Sequence, residues 1–218
     1  MEQDEIRIEV WGPFAYFTRP DLKVERVSYD MMTPSVARNI IQCIYWHPGV
    51  RIQVTEIELM SPIKHLQVMR NEVKSKASAS TVFAAAKKNR DVFIDADQEI
   101  MQRSAIILKD VHYCIHVKLH MTAKANPSDS VEKFKAILLR RARSGQCYMQ
   151  PVFGCREFPA YFRLVELHED IRRVHETKDL GLMLYDMDYK DNENIQPMFF
   201  FAKLDDGRMH LRNVKIMR

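Results

Sequence analysis

Cysteine is scarce in this sequence, and its spacing is uninformative for metal. Cys43, Cys114, Cys147 and Cys155 form no C-x-x-C pair, so the paired short spacings of a structural zinc site are missing and small buried thiols are expected. Six glycines and nine prolines are too few for low complexity or general disorder. No run of about 18 apolar residues occurs, so no membrane span is indicated. The opening MEQDEIRIEV has neither a basic n-region nor an apolar core, which argues against a secretory signal and for a cytoplasmic protein. There is no P-loop, G-x-G-x-x-G, H-E-x-x-H or G-x-S-x-G motif, so the chemistries those motifs carry have no support. Neither sign of charge dominates: the net charge is +4 and the pI about 8.8.

What the chain does have is apolar content and clustered cations. With 218 residues, 46% of them hydrophobic, it can build one sizeable core, or a core plus a small appendage. Basic residues gather at Arg19, Lys23 and Arg26, at Arg70, Lys74 and Lys76, at Lys87, Lys88 and Arg90, and at Arg140, Arg141 and Arg143. Several of these clusters sit beside loops. They read either as a path for a phosphate backbone or as a solvated surface.

Residues 6–17, IRIEVWGPFAYF, alternate and are rich in β-branched and aromatic types. They predict a strand with a bend or bulge at Gly12-Pro13. After a loop over 18–32, Thr33 fits an N-cap with Pro34 at the first helical position. Val36, Ile40, Ile41 and Ile44 share one helical face, and Pro48 and Gly49 read as the stop. Residues 50–60 alternate again, with a slip near Thr55, and 61–74 continue as a ribbon. Residues 75–93 read as a mobile insertion or a short helix. Residues 102–121 hold two strand-like pieces around Lys109-Asp110, and Asp129 or Ser130 caps a helix over 131–143 that Gly145 ends. A strand at about 160–167 follows. The tail predicts strands over 181–189, 196–204 and 208–217, with Asp205-Asp206-Gly207 as a hairpin turn.

The order strand, helix, strand, strand, helix, strand, then a small all-β tail, predicts an α+β protein. The ferredoxin-like split β-α-β pattern has this order, and so does the RNA-recognition sheet. The expected division is a ferredoxin-like N-terminal domain over residues 1–170, with an insertion near 75–98, and a small antiparallel β-rich C-terminal domain over 171–218. Such a fold hosts many activities and does not give function.

Three groups of side chains carry two readings each. Phe14, Tyr16 and Phe17 either stack bases or fill a strand's inward face. Trp46 reads as a core residue between helix and sheet. His112, His116 and His120 share one strand face with about 13 Å between neighbours, too far apart for one metal ion. They form either a solvated face or a polar face near RNA.

Three blocks resemble a known family: WGPFAYFTRPDLKVERVSYDMMTPSVARNIIQCIYWHP, Pro62 with RNEV, and SGQCYMQPVFGCREFPAYF. In this order, over most of the chain, they resemble the CRISPR-associated Cas-five subunit of subtype I-C. The resemblance implies an endoribonuclease that cuts the precursor transcript at its repeat hairpin without metal or cofactor and stays on the 5′ handle. Its implied partners are repeat and guide RNA, the backbone and large subunits of the effector complex, and target DNA as a further candidate. The family cuts with a tyrosine at the end of the first helix and a lysine-histidine pair near the second. Tyr45 matches the tyrosine. Lys133 falls near the lysine, but Phe134 follows it. His47, or one of the strand histidines, is then the candidate for the missing imidazole.

Metal-free RNA cleavage uses the ribose 2′-OH as nucleophile. A base takes its proton, a cation stabilises the phosphorane and an acid protonates the 5′ oxygen. The expected catalytic set is Tyr45, Lys133 and His47, and the expected RNA-binding set is Arg19, Lys23, Arg26, Arg140, Arg141 and Arg143. Tyr45 either orients or deprotonates the 2′-OH, or simply buries its ring. A phenol with an ordinary pKa of about 10 needs nearby cations to act as a base. Phe134 favours one rival, a non-catalytic subunit that only grips the 5′ handle. A general nucleic-acid-binding module is the other.

Overall fold

The computed structural model describes residues 5–22, 26–189, 191 and 193–218. In chain order the elements are β1 (Ile6–Ala15), β2 (Arg26–Val27), α1 (Pro34–Ile44), β3 (Val50–Leu59), β4 (His65–Val73) and α2 (Ala79–Lys87). They continue with β5 (Ile100–Met121), α3 (Val131–Arg143), β6 (Tyr161–Val165), β7 (Lys178–Asp188), β8 (Gln196–Leu204) and β9 (Arg208–His210). The protein is α+β, with a mostly antiparallel main sheet in the order β6-β1-β5-β3-β9. β4 and the parallel β2 pair with the N-terminal part of β5, and β7 and β8 form a second, two-stranded sheet.

Alternation decides which face of the sheet is covered. Val111, Tyr113, Ile115 and Val117 of β5 are buried in one cluster with Ile40, Ile41 and Ile44 of α1 and Phe134 and Leu138 of α3. Each such side chain contributes about 1.5–3 kcal/mol by leaving water. Thr33 caps α1 by accepting from the Val36 N–H at 3.4 Å, and Ser130 caps α3 by accepting from Lys133 N–H at 3.2 Å. Met183, Phe200, Leu204 and Met209 of the tail join the same core. α2, within the 75–93 segment, has no buried residue.

Several expectations change. β5 is one strand rather than two pieces. Asp110 takes a left-handed φ of 54°, yet β1 pairs with β5 from Leu108 to Val117 and bridges it. The bulge expected at Gly12-Pro13 does not occur, because Trp11, Gly12 and Phe14 stay in register with His112, Val111 and Lys109. Gly12 serves a close approach instead: a Cβ there would lie 2.8 Å from the Pro159 carbonyl oxygen. The slip near Thr55 is a register shift between Val54 and Glu56. The last tail strand shortens to β9, which leaves the hairpin to pair with β3, after a turn with φ of 48° at Asp206 and 77° at Gly207. Beyond it, Leu211 is pinned by its N–H to the Thr55 carbonyl at 2.9 Å. Among the described residues no helix is long and apolar enough to cross a membrane.

Candidate functional site

α1 ends at Ile44, before the Pro48-Gly49 stop expected for it. Tyr45 is its C-cap, with an extended backbone (φ −151°, ψ 124°) whose N–H still reaches the Ile41 carbonyl at 3.0 Å. A helix end leaves carbonyls unpaired. Here the Arg141 guanidinium donates to the Ile44 carbonyl at 3.0 Å, and the Tyr148 N–H donates to that of Cys43 at 2.7 Å. Pro48 acts on the residue before it, since a pre-proline residue is kept out of the helical region.

The early exit from the helix sorts the ring side chains. Successive residues of an extended segment point to opposite sides. Tyr45 turns inward and is 7% exposed, while Trp46 turns outward and is 62% exposed. The core assignment of Trp46 is therefore corrected: the helical period that placed it there has already ended.

The Tyr45 ring lies 6.3 Å from the Phe134 ring and 5.2 Å from the Arg141 Cζ, between centroids and to the centroid respectively. Among the described residues no group hydrogen-bonds the Tyr45 hydroxyl, and its oxygen is not sealed from solvent. Burial pushes the phenol pKa up; Arg141 and Lys133 pull it down and Asp129 pushes it up, for a net rise. The cations a basic tyrosine would need are present, but burial outweighs them. The phenol keeps its proton at neutral pH and can act as a donor.

His47 stands 5.0 Å from the Phe134 ring, centroid to centroid. Its Nδ1 accepts the Gly49 N–H at 3.0 Å, which assigns the hydrogen of the neutral ring to Nε2. Only glycine permits this closure: a Cβ at Gly49 would lie 2.9 Å from Ala125 Cα and 3.0 Å from His47 Nδ1. Phe134 is thus the buried ring on which both Tyr45 and His47 lean. Lys133 is exposed, and its Nζ pairs with Asp129 Oδ1 at 2.8 Å.

Tyr45, His47, Lys133 and Arg141 therefore gather where α1 meets α3. Arg140 is exposed and forms no ion pair among the described residues. Arg143 is gripped by both oxygens of Glu166 at 2.7 and 2.9 Å. Arg19 is held by Asp21 at 2.8 Å and lies over the Tyr29 ring at 5.5 Å, and Arg26 pairs with Glu72 at 3.0 Å. Neither contacts the Tyr45 cluster. Lys23 lies outside the described residues. Tyr16 and Phe17 are buried, and Phe14 packs on Phe158 at 5.7 Å, so these aromatics fill interior space.

The strand histidines lie on the sheet face away from the helices, so none replaces the missing imidazole. His112 meets Glu9 at 2.5 Å and His120 meets Gln53 at 2.6 Å. His116 sits 3.5 Å from both Glu5 and Glu58. Burial lowers the His116 pKa, but hydrogen bonds with Cys114, Glu5 and Glu58 outweigh it and raise the value to about 11. For Glu5, burial raises the value, and hydrogen bonds from His116 and Thr55 bring it down to about 2. Glu58, Cys114 and His116 bring ligand-type atoms within 4.8 Å of one another. Glu58 comes from β3, so sequence spacing could not reveal the group.

Sequence reasoning also missed a surface groove of about 740 Å³ beside the site, lined by Trp46, Arg141, Tyr148 and Met149 among others. The available signal was Pro48, which keeps His47 out of the helical region.

A family model described as CRISPR-associated protein (Cas_Cas5) matches residues 5–212. A CRISPR pre-crRNA endoribonuclease Cas5d of Mannheimia succiniciproducens is 40% identical over 94% of this chain and 93% of its own length. The protein of the same name from Thermus thermophilus is 32% identical over 93% of this chain and 89% of its own length. Among solved structures, a CRISPR-associated protein superposes with a TM-score of 0.70 at 18% identity, covering 98% of this chain and 96% of its own. A functionally uncharacterized protein of Streptococcus mutans superposes with a TM-score of 0.68, also at 18% identity, covering 96% of this chain and 92% of its own. The structural likenesses speak to the fold, and the sequence matches run almost end to end: the chain belongs to the CRISPR-associated Cas5 family, as a Cas5 subunit of subtype I-C.

Proposed function

We propose that the chain is an endoribonuclease that cuts CRISPR precursor RNA at the repeat hairpin without a metal ion and keeps the 5′ handle. It works in the cytoplasm as a subunit of the type I-C effector complex. Its partners are guide RNA, the backbone and large subunits, and target DNA. One observation carries the activity: a relative named for cutting pre-crRNA is 40% identical along 94% of this chain.

The strand order β6-β1-β5-β3, with α1 and α3 packed on one face, supports a ferredoxin-like reading in which β1-α1-β3 and β5-α3-β6 are the two halves of a split β-α-β. In this reading residues 1–170, with the excursion near 75–98, process RNA, and 171–218 form the small β-rich unit.

The 2′ oxygen attacks the adjacent phosphorus, a 2′ O–P bond forms and the P–O5′ bond breaks. Tyr45, protonated and without a protein partner for its hydroxyl, gives its proton to the departing 5′ oxygen. Arg141 over the ring steadies the negative charge that develops on the phenol oxygen. His47 donates from Nε2 to a non-bridging oxygen, since its Nδ1 is engaged by Gly49. Lys133 and Arg141 supply positive charge to the phosphorane. The 2′ proton passes to water. Phe134 does not supply an imidazole; it spaces the Tyr45 and His47 rings. The gripping-only rival loses its main support, because His47 brings an imidazole to the same ring.

The test is incubation with a repeat RNA hairpin in EDTA. One cut is expected, with 2′,3′-cyclic phosphate and 5′-OH ends, and it disappears when the cleavage-site 2′-OH is removed. Tight binding without a cut would leave a gripping subunit; binding that ignores the hairpin would leave a general module.

A further inference from the structure

We propose that the groove beside Tyr45 is a nucleobase site, in which an unpaired base next to the scissile phosphate stacks on Trp46 and Tyr148. The proposal rests on the ribonuclease reading and extends it to substrate recognition.

The first support is the surface itself. Trp46 is 62% exposed, Tyr148 86% and Met149 60%, and all three line the same groove of about 740 Å³. Large apolar side chains scattered singly over a surface need no explanation, but a cluster marks a contact site. Neither the Trp46 nor the Tyr148 ring stacks on another ring among the described residues.

The second support is that these groups are held in advance. The N–H groups of Tyr148 and Met149 both point at the Cys43 carbonyl, at 2.7 and 3.4 Å. The Trp46 backbone runs between the buried Tyr45 and the turn that the Val50 N–H closes on the His47 carbonyl at 3.2 Å. A stacking platform on a pinned backbone costs a ligand less ordering than a loose loop does.

The third support is charge. The groove lining includes Arg141 and no carboxylate. The larger groove of about 950 Å³ on the other sheet face mixes five carboxylates with Arg7, Arg173, Arg208 and Arg212, and Glu5 and Glu58 there are already paired with Arg212 and Arg208. The Trp46 groove also offers amides. Gln42 Oε1 accepts from Arg38 at 3.1 Å, so Asn39 is the lining amide with both its oxygen and its nitrogen open to a base edge, the pairing amide side chains make.

The last support is continuity. Arg141 lies over the Tyr45 ring and also lines the groove. Arg141 thus borders both places, so a strand whose phosphate it holds beside Tyr45 delivers the adjoining base to Trp46. Aromatic stacking tolerates any base, so the site favours an unpaired nucleotide more than a particular sequence.

The experiment measures affinity for a repeat hairpin made uncleavable by 2′-deoxy substitution. The proteins are the wild type, Trp46→Ala, Tyr148→Ala, the double variant and Trp46→Phe. Each alanine should weaken binding by about tenfold, and phenylalanine should retain most of it. Replacing one unpaired nucleotide at a time with an abasic residue should reveal a position that weakens the wild type but not the double variant. Both side chains are exposed, so thermal melts should match the wild type. If the wild type cuts and binds the hairpin while the double variant binds equally well, the nucleobase site is overturned and the groove is left to a protein partner; the ribonuclease reading then stands. If the wild type neither binds nor cuts the hairpin, both readings fall.

Discussion

The Arg141 guanidinium joins the end of α1 to the Tyr45 ring: it donates to the Ile44 carbonyl at 3.0 Å while its Cζ stands 5.2 Å from the ring centre. One cation thus satisfies a helix-end carbonyl and fixes the tyrosine. Arg141→Ala should cost about 2 kcal/mol, from a charge-assisted hydrogen bond and a cation–π contact. A lower urea midpoint at unchanged m would register it. Arg141→Lys keeps the charge but not the planar fork, so it should recover only part of the stability and of the cutting.

His47 donates to the phosphate in the proposed reaction, so His47→Ala should slow single-turnover cutting by about 10²–10³-fold with little change in RNA affinity. Gly49→Ala should act in the same direction and also destabilise, because its Cβ would press on Ala125 and on His47 Nδ1. A Gly49→Ala protein that melts like wild type would contradict the close packing at Gly49, and a His47→Ala protein that cuts like wild type would separate His47 from the chemistry.

The His116 cluster makes a pH prediction for stability. Its folded-state value is raised to about 11, so its contribution is full below the unfolded value of about 6.5 and fades as pH rises through the folded one. Glu5 is held down at about 2, so its contribution is full above the unfolded value of about 4.3 and fades as pH falls through the folded one. Both are complete between about pH 4.5 and 6.5. The stability gap between wild type and His116→Gln should be widest there and shrink toward pH 11, read as urea midpoints across pH. A gap that widens in alkali would contradict the pairing of His116 with Glu5 and Glu58.

Arg140 and Arg143 should differ in RNA binding despite their shared sequence cluster. Arg140→Ala should reduce the slope of log affinity against log salt by about one. Arg143 is engaged by Glu166, so its replacement should change the slope less. Equal slopes for both variants would mean that Glu166 releases Arg143 to the RNA.

Local pattern made much of this legible. The Thr33 cap, a cap at Asp129 or Ser130, the face of Val36, Ile40, Ile41 and Ile44, and the alternation over 111–119 all follow from period and hydrogen-bonding chemistry. The candidate site was only half legible. Tyr45 came forward through family resemblance, and its position at the helix end followed from the pattern. The hidden part depended on where the helix stops. Tertiary bonds from Arg141 and Tyr148 to α1 carbonyls end it early, and that single change sends Trp46 to the surface. The cross-strand partners of His116 were hidden for a related reason: Glu5 and Glu58 belong to other segments that only sheet register brings near.

The central claim is that Tyr45 delivers a proton to the 5′ leaving oxygen. The direct measurement compares wild type and Tyr45→Phe on a repeat hairpin whose bridging 5′ oxygen at the cleavage site is replaced by sulfur, a leaving group that needs no proton. On ordinary RNA, Tyr45→Phe should lose about 10²-fold or more in single-turnover rate, at unchanged affinity. On the sulfur substrate it should cut about as fast as wild type. If Tyr45→Phe is equally impaired on both substrates, Tyr45 is not the proton donor.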